Sequence, residues 1–459
     1  MQFTMKMAEK IYFRSPPLLQ SFMISAYGHR IYQKRYKGLY YEIRKELEET
    51  KRFSATEVRA LQEESLHQMI AYCANQIPYY QKLFAEYGLR PSDITTIQDL
   101  TKLPILNKQT ILEQNYNFRP KDAPKPFMIQ HTSGSTGTPL ALQVDERTYK
   151  LAMALLVDHE ESHGVPFGSK RATFAGRMLK PADDMKPPFS RFNRAENQRL
   201  FSSYHINENT FLYYKKELDK FQPEELIGYP SAIYDLAAHY LKSDSKPGFQ
   251  PKAVITNSET LLLWQREKIE SVFGCPVYDY YGTAEYVIFA GQDNAGIYRP
   301  NPIIGITEVE IGSDSNDTGR LLATSLTNKQ MPLVRYNLGD TATLENASGE
   351  TIGTPGLKSI NGRVDDYIET SDGRLIGRID HIFKGVAGIK EAQVRQNSPG
   401  KATIVIVRNG LEAISENRLK ENLRERAGEG FGIEIRYEDS IVRGNNGKFR
   451  SVIRTNQTS

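Results

Sequence analysis

Residues 252–285, KAVITNSETLLLWQREKIESVFGCPVYDYYGTAE, contain the pattern that decides the fold class. Lys252–Thr256 is a short apolar run typical of a buried strand, and Thr260–Phe273 has the spacing of an amphipathic helix. Pro276–Tyr280 is a second strand-like run. A strand, a helix and a strand at this spacing predict a βαβ unit, so we expect an α/β fold with a parallel sheet.

On the amino-terminal side, the pattern is helical up to a loop of small residues. Residues 31–90 carry apolar side chains near helical spacing with a break at Pro78, and Arg147–His163 predicts a further helix. Between them lies the loop His131–Pro139, whose glycines and hydroxyls are suited to turning donors toward a phosphate. It lacks the Gly-Lys-Ser/Thr of a Walker loop, so composition alone leaves both a nucleotide site and an ordinary flexible loop open.

On the carboxyl-terminal side, the pattern becomes antiparallel. Alternating runs at Ile306–Ile311 and Arg320–Leu326 predict a hairpin, and runs at Leu333–Tyr336 and Thr341–Leu344 extend it into a small antiparallel sheet or barrel. After Gly362, a second domain follows. Its predicted elements are a hairpin around Ser371–Gly373, a strand at Ala402–Val407, a helix at Glu416–Ala427 and a strand at Ile433–Tyr437. We therefore divide the chain into a large domain, residues 1–362, and a small α+β lid domain, residues 363–459.

Composition excludes several classes of protein. The 459 residues carry a formal charge of +4 with Lys and Arg scattered among the acidic residues, which argues against a nucleic-acid groove. Two distant cysteines fit a reducing, cytoplasmic setting without a disulfide framework or thiolate zinc cluster. The longest apolar run, Leu151–Val157, is too short to span a bilayer. Residues 1–30 mix aromatic and basic side chains, which fits either a helical extension packed on the body or contact with a membrane surface or partner.

Two short metal-like motifs favour ordinary structure. His159–His163 fits the His-Glu-x-x-His pattern of zinc proteases, but Gly164 and Pro166 end the helix and no third ligand follows in a suitable context. Asp314–Gly319 is similar to a calcium loop without the closing glutamate, so a hairpin turn is favoured.

Several ordered motifs, however, resemble those of the adenylate-forming superfamily of acyl-CoA synthetases. More narrowly, the chain resembles the phenylacetate–CoA ligase family, in the branch that includes capsular-polysaccharide-associated ligases. The similarity extends from about residue 35 to about residue 455. The motifs that carry it are Ser133–Pro139, Gly228–Ser231, Asn257–Leu261, Tyr281–Glu285, Arg335–Asp340, Gly362–Asp365 and Gly447–Arg450.

The resemblance implies a role for individual residues. Those expected to bind ATP are Ser133, Gly134, Ser135, Thr136, Gly137, Thr138, Ser258, Glu259, Tyr281, Gly282, Thr283, Asp340 and Arg363. Glu285 is expected to ligate Mg²⁺, Lys448 to act in adenylation and Asp365 to form a hinge. The acyl pocket is expected near His131, Tyr204 and Tyr229.

The activity implied by the resemblance is the ATP- and Mg²⁺-dependent conversion of a carboxylic acid to an acyl-adenylate. The acyl group then passes to an acceptor, either the thiol of coenzyme A or an amine such as an amino sugar, with surface polysaccharide biosynthesis as one context. The sequence departs from the family at two points, with Leu140 in place of a lysine and Ala284 in place of a threonine. A non-catalytic nucleotide-binding protein of the same fold is the alternative, and the presence of Glu285, Asp340, Arg363 and Lys448 argues against it.

Overall fold

The computed structural model describes most of the chain, which divides into two compact units. The described residues are 11–131, 140–177, 179–181, 184–261, 263–312, 315–363, 368–371, 375–376, 379–383, 386, 388–408, 413–439, 441 and 452–454. At 204, 231, 264, 362, 363, 375, 376, 380, 381, 390, 391 and 425 only the backbone is described. The first unit comprises Met1–Gln130, Ala141–Leu338 and Thr343–Ser359, and the second comprises His131–Leu140, Gly339–Ala342 and Ile360–Ser459.

Helices of the first unit begin at recognisable sequence signals. They are α1 (Pro17–Tyr36), α2 (Tyr40–Thr50), α3 (Ala55–Gln76), α4 (Pro78–Glu86), α5 (Lys108–Glu113), α6 (Glu146–Ser162), α7 (Phe211–Phe221), α8 (Pro230–Lys242) and α9 (Leu263–Phe273). Ser54 and Glu57 form a capping box at the start of α3, and the Asp145 side chain accepts a hydrogen bond from the backbone N–H of Thr148 at the start of α6. Proline occupies the first turn of α1, α4 and α8, where its missing N–H is not needed.

One large sheet organises this unit. Beside the short pair β1 (Met128–His131) and β2 (Ala141–Val144), the strands are β3 (Arg171–Ala175), β4 (Ser190–Asn193), β5 (Gln198–Ser202), β6 (Glu225–Gly228), β7 (Ala253–Asn257), β8 (Val277–Gly282), β9 (Phe289–Gln292), β10 (Tyr298–Pro300), β11 (Gly305–Ile311), β12 (Thr318–Ser325), β13 (Tyr336–Leu344), β14 (Ile352–Gly353) and β15 (Leu357–Arg363). Among the described residues their order is β14-β11-β12-β13-β15-β10-β9-β8-β7-β6-β3-β5-β4.

The predicted parallel sheet is present at the centre of this order. Strands β5, β3, β6, β7 and β8 are parallel neighbours, and the pairing changes to antiparallel at β9. Alternate residues enter different apolar clusters: Leu226 and Val254 pack with α7, α8 and α9, whereas Ile227 and Ile255 pack with Val165. The sheet is therefore covered on both faces, as parallel sheets require.

The antiparallel prediction was wrong in one respect. The hairpin is present as β11 and β12, but it does not form a separate small sheet or barrel, because β13, β15 and β10 join it to the parallel strands. The run predicted at Thr341–Leu344 lies in β13, which begins at Tyr336, so only the last residue of the run predicted at Leu333–Tyr336 is in a strand. Arg335 just before it adopts a left-handed backbone with φ of 50°, which ends any strand to its amino-terminal side.

A second compact unit contains a smaller sheet with a helix. Its elements are β16 (Ile368–Glu369), β17 (Leu375–Ile376), β18 (Ile389–Ser398), β19 (Lys401–Arg408), α10 (Glu416–Ala427), β20 (Gly432–Tyr437) and β21 (Val452–Arg454). The four-stranded order is β20-β19-β18-β21, and Ile404, Ile406, Leu419 and Leu423 form its core with α10. The α+β prediction is confirmed, and β16 pairs with β17 as the predicted hairpin. In the described residues, no helix is long and apolar enough to cross a membrane.

Three buried charged groups connect α6 to the central strands. Arg171 of β3 donates hydrogen bonds to Glu160 of α6 and, at 2.7 Å, to Glu225 of β6, and both carboxylates are only 1% exposed. One cation thus serves two buried carboxylates, and one oxygen of each lacks a partner among the described residues. Burial raises the pKa of Glu160 to about 8, because the charged form loses its hydration.

This shift predicts that stability falls as the pH rises. In the unfolded chain the pKa of Glu160 is about 4.3. In the folded protein this pKa is raised to about 8, and the pH window of interest lies between the two values. The folded state therefore holds more protons across that window, and the free energy of unfolding decreases as the pH passes through it. We expect Glu160→Gln to flatten this decline, measured by denaturant unfolding across the window. Glu64→Gln, on the exposed surface, should keep the parental slope, and equal slopes for both variants would contradict the assignment.

Candidate active site

The carboxyl ends of four parallel strands meet at one edge of the sheet. Gly228 at the end of β6 aligns with Phe174 of β3 and with Thr256 of β7, and Asn257 aligns with Tyr280 of β8. The segments that follow these strands therefore leave the sheet side by side. In open α/β sheets this edge is where ligands bind. Three sequence motifs that are far apart in the chain, at 228–231, 257–261 and 281–285, are brought together here.

The first of these segments begins with a glycine because two stretches of backbone approach each other closely there. Gly228 has φ of 146°, and a Cβ there would lie 1.9 Å from the carbonyl oxygen of Phe174, so only glycine fits. The chain then enters α8 through Tyr229, whose backbone N–H donates to the same carbonyl at 2.8 Å. The Tyr229 hydroxyl lies over Gly176, where a Cβ would be 2.5 Å away. Tyr229 thus packs against Gly176 beyond the ends of β3 and β6, and Tyr229 is one of the residues predicted near the acyl pocket.

The second segment holds a strained residue beside a buried acid. Ser258, directly after β7, has φ of 66°, a left-handed conformation that non-glycine residues adopt at a cost of about 1 kcal/mol or more. Its hydroxyl donates to the Asn257 side chain at 2.7 Å. The next residue, Glu259, is 7% exposed. Strained non-glycine residues tend to occur at functional sites, and this turn fixes the direction in which Glu259 leaves the strand.

The third segment supplies a hydroxyl without a partner. The Oγ1 atom of Thr283, just after β8, is buried and has no hydrogen-bond partner among the described residues. A buried hydroxyl in this state loses its water without compensation, so such groups call for an explanation in the function of the site. The motif that this segment resembles has a threonine at the neighbouring position, where this chain has Ala284. The orphaned hydroxyl of Thr283 is suited to contact a ligand oxygen in its place.

Glu285 lies in the same segment and is held by a residue that the sequence analysis missed. The hydroxyl of Tyr336 donates to Oε1 of Glu285 at 3.3 Å, and Tyr336 itself is 2% exposed. Tyr336 was quoted only as part of the Arg335–Asp340 motif. Its phenol fixes one carboxylate oxygen and leaves the charge on Glu285 in place, since a tyrosine donor is neutral. Tyr336 is therefore a positioning residue for Glu285.

A buried acid beneath the site stabilises the same strands. Asp279 of β8 accepts hydrogen bonds from the hydroxyls of Thr256 and Tyr298, each at 2.6 Å. Burial raises the pKa of Asp279 to about 7, and the two hydroxyl donors oppose that rise. This cluster connects β7, β8 and β10, so it holds the ends of β7 and β8 in register beneath the site.

The remaining predicted residues fall outside this cluster or outside the described part of the chain. Ser133, Gly134, Ser135, Thr136, Gly137, Thr138, Asp365 and Lys448 lie outside the described residues. Arg363 ends β15 and Tyr204 lies in a 3₁₀ turn, with only their backbones described. His131 is exposed at the end of β1, and Asp340 lies within β13; both belong to the second unit. Gly282 is the exposed last residue of β8, next to Tyr281.

The His159–His163 segment has the surroundings of a structural element. The His163 ring stacks on Tyr278 with centroids 3.4 Å apart, and its Nε2 is 2.9 Å from the carbonyl oxygen of Gln292. Burial lowers the pKa of His159 to about 3, so its ring stays neutral. Both rings line a cavity of about 380 Å³ beside β9. Among the described residues, no three His, Cys, Asp or Glu side chains are arranged to hold a metal ion.

Glu285 fits the requirements of Mg²⁺. This cation prefers oxygen ligands and is usually held by one or two carboxylates together with substrate phosphates and water. Glu285 offers a carboxylate that Tyr336 holds in place, and the Thr283 hydroxyl lies two residues away on the same loop. An oxygen-only donor set at the edge of a parallel sheet is compatible with such a cation, for which Glu285 would be the protein ligand.

Comparison with known proteins shows what this chain is similar to. A model of the CapK C-terminal domain matches residues 368–455. Protein CapK of Staphylococcus aureus is 27% identical over 456 residues, which is 97% of this chain and 99% of CapK. The phenylacetate–coenzyme A ligase of Escherichia coli is 23% identical over 69% of this chain and 73% of that protein. The corresponding ligase of Thermus thermophilus is 24% identical over 62% and 65% of the two chains.

The chain is therefore related to CapK over nearly its whole length and to the phenylacetate–coenzyme A ligases over a shorter part, which supports an acyl-adenylate-forming ligase. Solved structures show the same fold. A 2-hydroxyisobutyryl-CoA ligase in a postadenylation state with an acyl-AMP has a TM-score of 0.55 at 17% identity, covering 88% of this chain and 91% of that one. The same ligase with 2-HIB-AMP and CoA also gives 0.55, at 18% identity, covering 88% and 90%.

Removing the hydroxyl of Thr283 should change stability and activity in opposite directions. Thr283→Val keeps the shape of the side chain and removes a buried unsatisfied group, so the free energy of unfolding should stay level or rise by up to about 1 kcal/mol. If the hydroxyl contacts the nucleotide, pyrophosphate release should fall about tenfold, the worth of one hydrogen bond to a charged group.

Thr256→Val is the matched control for this prediction. It removes a buried hydroxyl that does have a partner, Asp279, and should lower the free energy of unfolding by about 1–3 kcal/mol. Urea unfolding of both variants, together with pyrophosphate release, separates the two cases. A Thr283→Val protein with parental turnover would remove Thr283 from the nucleotide site.

Proposed function

We propose that this ligase activates a carboxylic acid as an acyl-adenylate with ATP and Mg²⁺, then transfers the acyl group to an acceptor. A carboxylate oxygen of the acid attacks the α-phosphorus, a new O–P bond forms, and the bond to the leaving pyrophosphate breaks. The observation that carries the proposal is the Glu285–Tyr336 pair beside the orphaned Thr283 hydroxyl, at the edge where the parallel strands end. Relatedness to the phenylacetate–coenzyme A ligases supports it.

Each side chain at the edge has a role in this proposal. Tyr281 stacks on adenine, Ser258 and Glu259 border the adenine side, and Thr283 donates to the α-phosphate. Glu285 holds Mg²⁺, which when bound neutralises charge on the phosphates. Both reactants are anionic, so positioning and charge stabilisation account for most of the catalysis. The acid lies against the surface at Tyr229 and Gly176, together with His131 and Tyr204.

A mobile second domain completes the proposed cycle. Residues 363–459 would turn about Asp365, bring Lys448 to the α-phosphate for adenylation and withdraw it to admit the acceptor. The loop at Ser133–Thr138 would hold the β- and γ-phosphates, and Asp340 and Arg363 would contact the ribose or phosphate. Leu140 stands where the resembled family has a lysine, so a positive charge is missing there. Backbone N–H groups at the glycines and the hydroxyls of the loop would stabilise the phosphate charge in part.

Two acceptors are compatible with this chemistry. Coenzyme A is favoured by the relationship to phenylacetate–coenzyme A ligases and by the fold shared with a ligase that has been crystallised with CoA. An amine on a sugar is the acceptor that the resemblance to capsular-polysaccharide-associated ligases implies, and would set the enzyme in surface polysaccharide biosynthesis in the cytoplasm. In either case, attack on the acyl carbon forms a thioester or an amide and releases AMP.

A pyrophosphate-release screen tests the proposal. Purified protein, ATP and Mg²⁺ are combined with aryl, short-chain, hydroxy and amino acids, each with and without coenzyme A. Release that depends on one class of acid is the expected result, and a further increase with coenzyme A identifies the acceptor as the thiol. ATP binding without release from any acid, including sugar-linked acids, would favour a non-catalytic nucleotide-binding protein.

A further inference from the structure

Helix α1 exposes an apolar surface on one side. Leu18 is 88% exposed, Phe22 69%, Tyr27 59% and Leu19 47%, and Ile11 ahead of the helix is 52% exposed. Leu18, Phe22 and Ala26 follow one another at four-residue spacing, with Leu19, Met23 and Tyr27 in the adjacent row. A single exposed apolar side chain is ordinary on a protein surface, but a continuous apolar strip of this kind marks an interaction surface.

The opposite side of α1 is fastened to the body of the first unit. Gln20 accepts a hydrogen bond from Nε of Arg191 at 2.6 Å, and Ser25 donates to the carbonyl oxygen of Phe192 at 3.1 Å. Gly28 packs so closely on Asn193 that a Cβ would lie 2.2 Å from its Oδ1. In its first part the helix is therefore held by polar and small residues, whereas Leu18, Phe22 and Tyr27 are exposed. Only near its end does a large side chain, Tyr36, pack into the core. The first part thus reverses the usual pattern of a helix on a protein surface.

The charge around this strip has one sign. From residue 11 to residue 41 the sequence has no Asp or Glu, and its cations are Arg14, Arg30, Lys34, Arg35 and Lys37. Lys34 donates a hydrogen bond to the carbonyl oxygen of Phe127, and Arg35 forms an ion pair with Glu196. Arg14 and Arg30, in contrast, are exposed at the two ends of the apolar row. Apolar side chains flanked by exposed arginines fit a surface with an anionic outer layer and an apolar interior.

We propose that α1 docks this ligase on an anionic membrane surface. Leu18, Leu19, Phe22 and Tyr27 enter the boundary between the headgroups and the acyl chains, and Arg14 and Arg30 contact lipid phosphates. A second copy of the chain is the poorer occupant. A two-fold contact pairs a surface with itself, so it would bring Arg14 of one copy toward Arg30 of the other and place like charges together. This proposal is independent of the acyl-adenylate chemistry.

Vesicle co-sedimentation of the full-length protein tests the proposal. Phosphatidylcholine vesicles with and without phosphatidylglycerol are compared for the parent, for Leu18→Ser with Phe22→Ser, and for Arg14→Gln with Arg30→Gln. The matched control is Leu212→Ser, which replaces a leucine that is 72% exposed on α7. Since the substituted side chains are exposed, thermal unfolding should be unchanged, and it serves as the check of folding.

The expected result is binding to anionic vesicles that both double variants weaken and the control keeps. One double variant removes two apolar side chains that would enter the membrane, and the other removes two cations that each raise membrane affinity about fivefold. Either change should lower the fraction bound at least tenfold. A parent that stays in solution with both kinds of vesicle would overturn the proposal. So would equal binding by the Leu18/Phe22 variant and the Leu212 variant. A dimer in sedimentation velocity that the Leu18/Phe22 variant abolishes, without vesicle binding, would assign the surface to a second copy instead.

Discussion

Replacing Glu285 by glutamine is expected to lower magnesium-dependent pyrophosphate release about a hundredfold, the effect of removing one strong electrostatic contact from such a site. The amide keeps the size of the side chain and can still accept the hydrogen bond from Tyr336, so the loop after β8 should stay in place. What is lost is the negative charge, and an amide oxygen is a weak ligand for a hard cation such as Mg²⁺. Magnesium titrations at saturating ATP should show half-activation moving to higher metal concentration.

Tyr336→Phe is the companion variant, because it leaves the carboxylate and removes its donor. The loss of one neutral hydrogen bond should change turnover only about fivefold, and the magnesium response should shift less than for Glu285→Gln. This ordering distinguishes a metal ligand from a residue that positions it. Parental turnover with a parental magnesium curve in Glu285→Gln would remove Glu285 from the metal site, whatever Tyr336→Phe does.

The sequence predicted those helices and strands whose apolar pattern matches the face that the fold buries. The helix Glu416–Ala427 was predicted with the bounds that the structure shows, and the strands at β7 and β8 with the helix α9 between them were found within three residues. In these segments the buried face is apolar, so periodicity reports it directly. Both cysteines are buried, as free thiols usually are.

Strands β3 and β6 escaped prediction because their burial depends on a partner far away. Each begins with a charged residue, Arg171 or Glu225, which from the sequence alone argues against a strand in the middle of a covered sheet. The two residues are tolerated because they pair with each other and with Glu160, so their charges are satisfied only once the fold exists. A local pattern cannot contain that information.

The candidate site likewise contains residues that the sequence predicted and contacts that only the folded structure shows. The residues named from motifs are Tyr229, Ser258, Glu259, Tyr281, Thr283 and Glu285. The topology explains why they lie at one edge of the sheet, since each is near the end of a parallel strand or directly after it. The hydrogen bond from Tyr336 to Glu285 could not be predicted, because 51 residues separate the two positions. The isolated hydroxyl of Thr283 also required coordinates, since a threonine next to Ala284 has no distinctive signature in the sequence.

Lys448→Ala is expected to reduce adenylation by at least about a hundredfold while leaving ATP binding largely intact. The case is chemical: negative charge builds on the α-phosphate as the carboxylate attacks, and an ammonium group that arrives with a mobile domain stabilises it at that stage. Lys448 lies within the stretch matched by the CapK C-terminal domain, although outside the residues that the structure describes. ATP affinity, measured by calorimetry without the acid, should change little because most nucleotide contacts are assigned to the first 362 residues.

The decisive comparison supplies the acyl-adenylate from outside. If Lys448 acts only in adenylation, the Lys448→Ala enzyme should still transfer the acyl group from a synthetic acyl-adenylate to its acceptor at a rate within about tenfold of the parent, since that step needs the lysine withdrawn. Lys401→Ala, which removes an exposed lysine from the same unit, should leave both half-reactions unchanged. Equal losses in the two half-reactions would mean that Lys448 maintains the second domain, and full pyrophosphate release would show that another cation serves the α-phosphate.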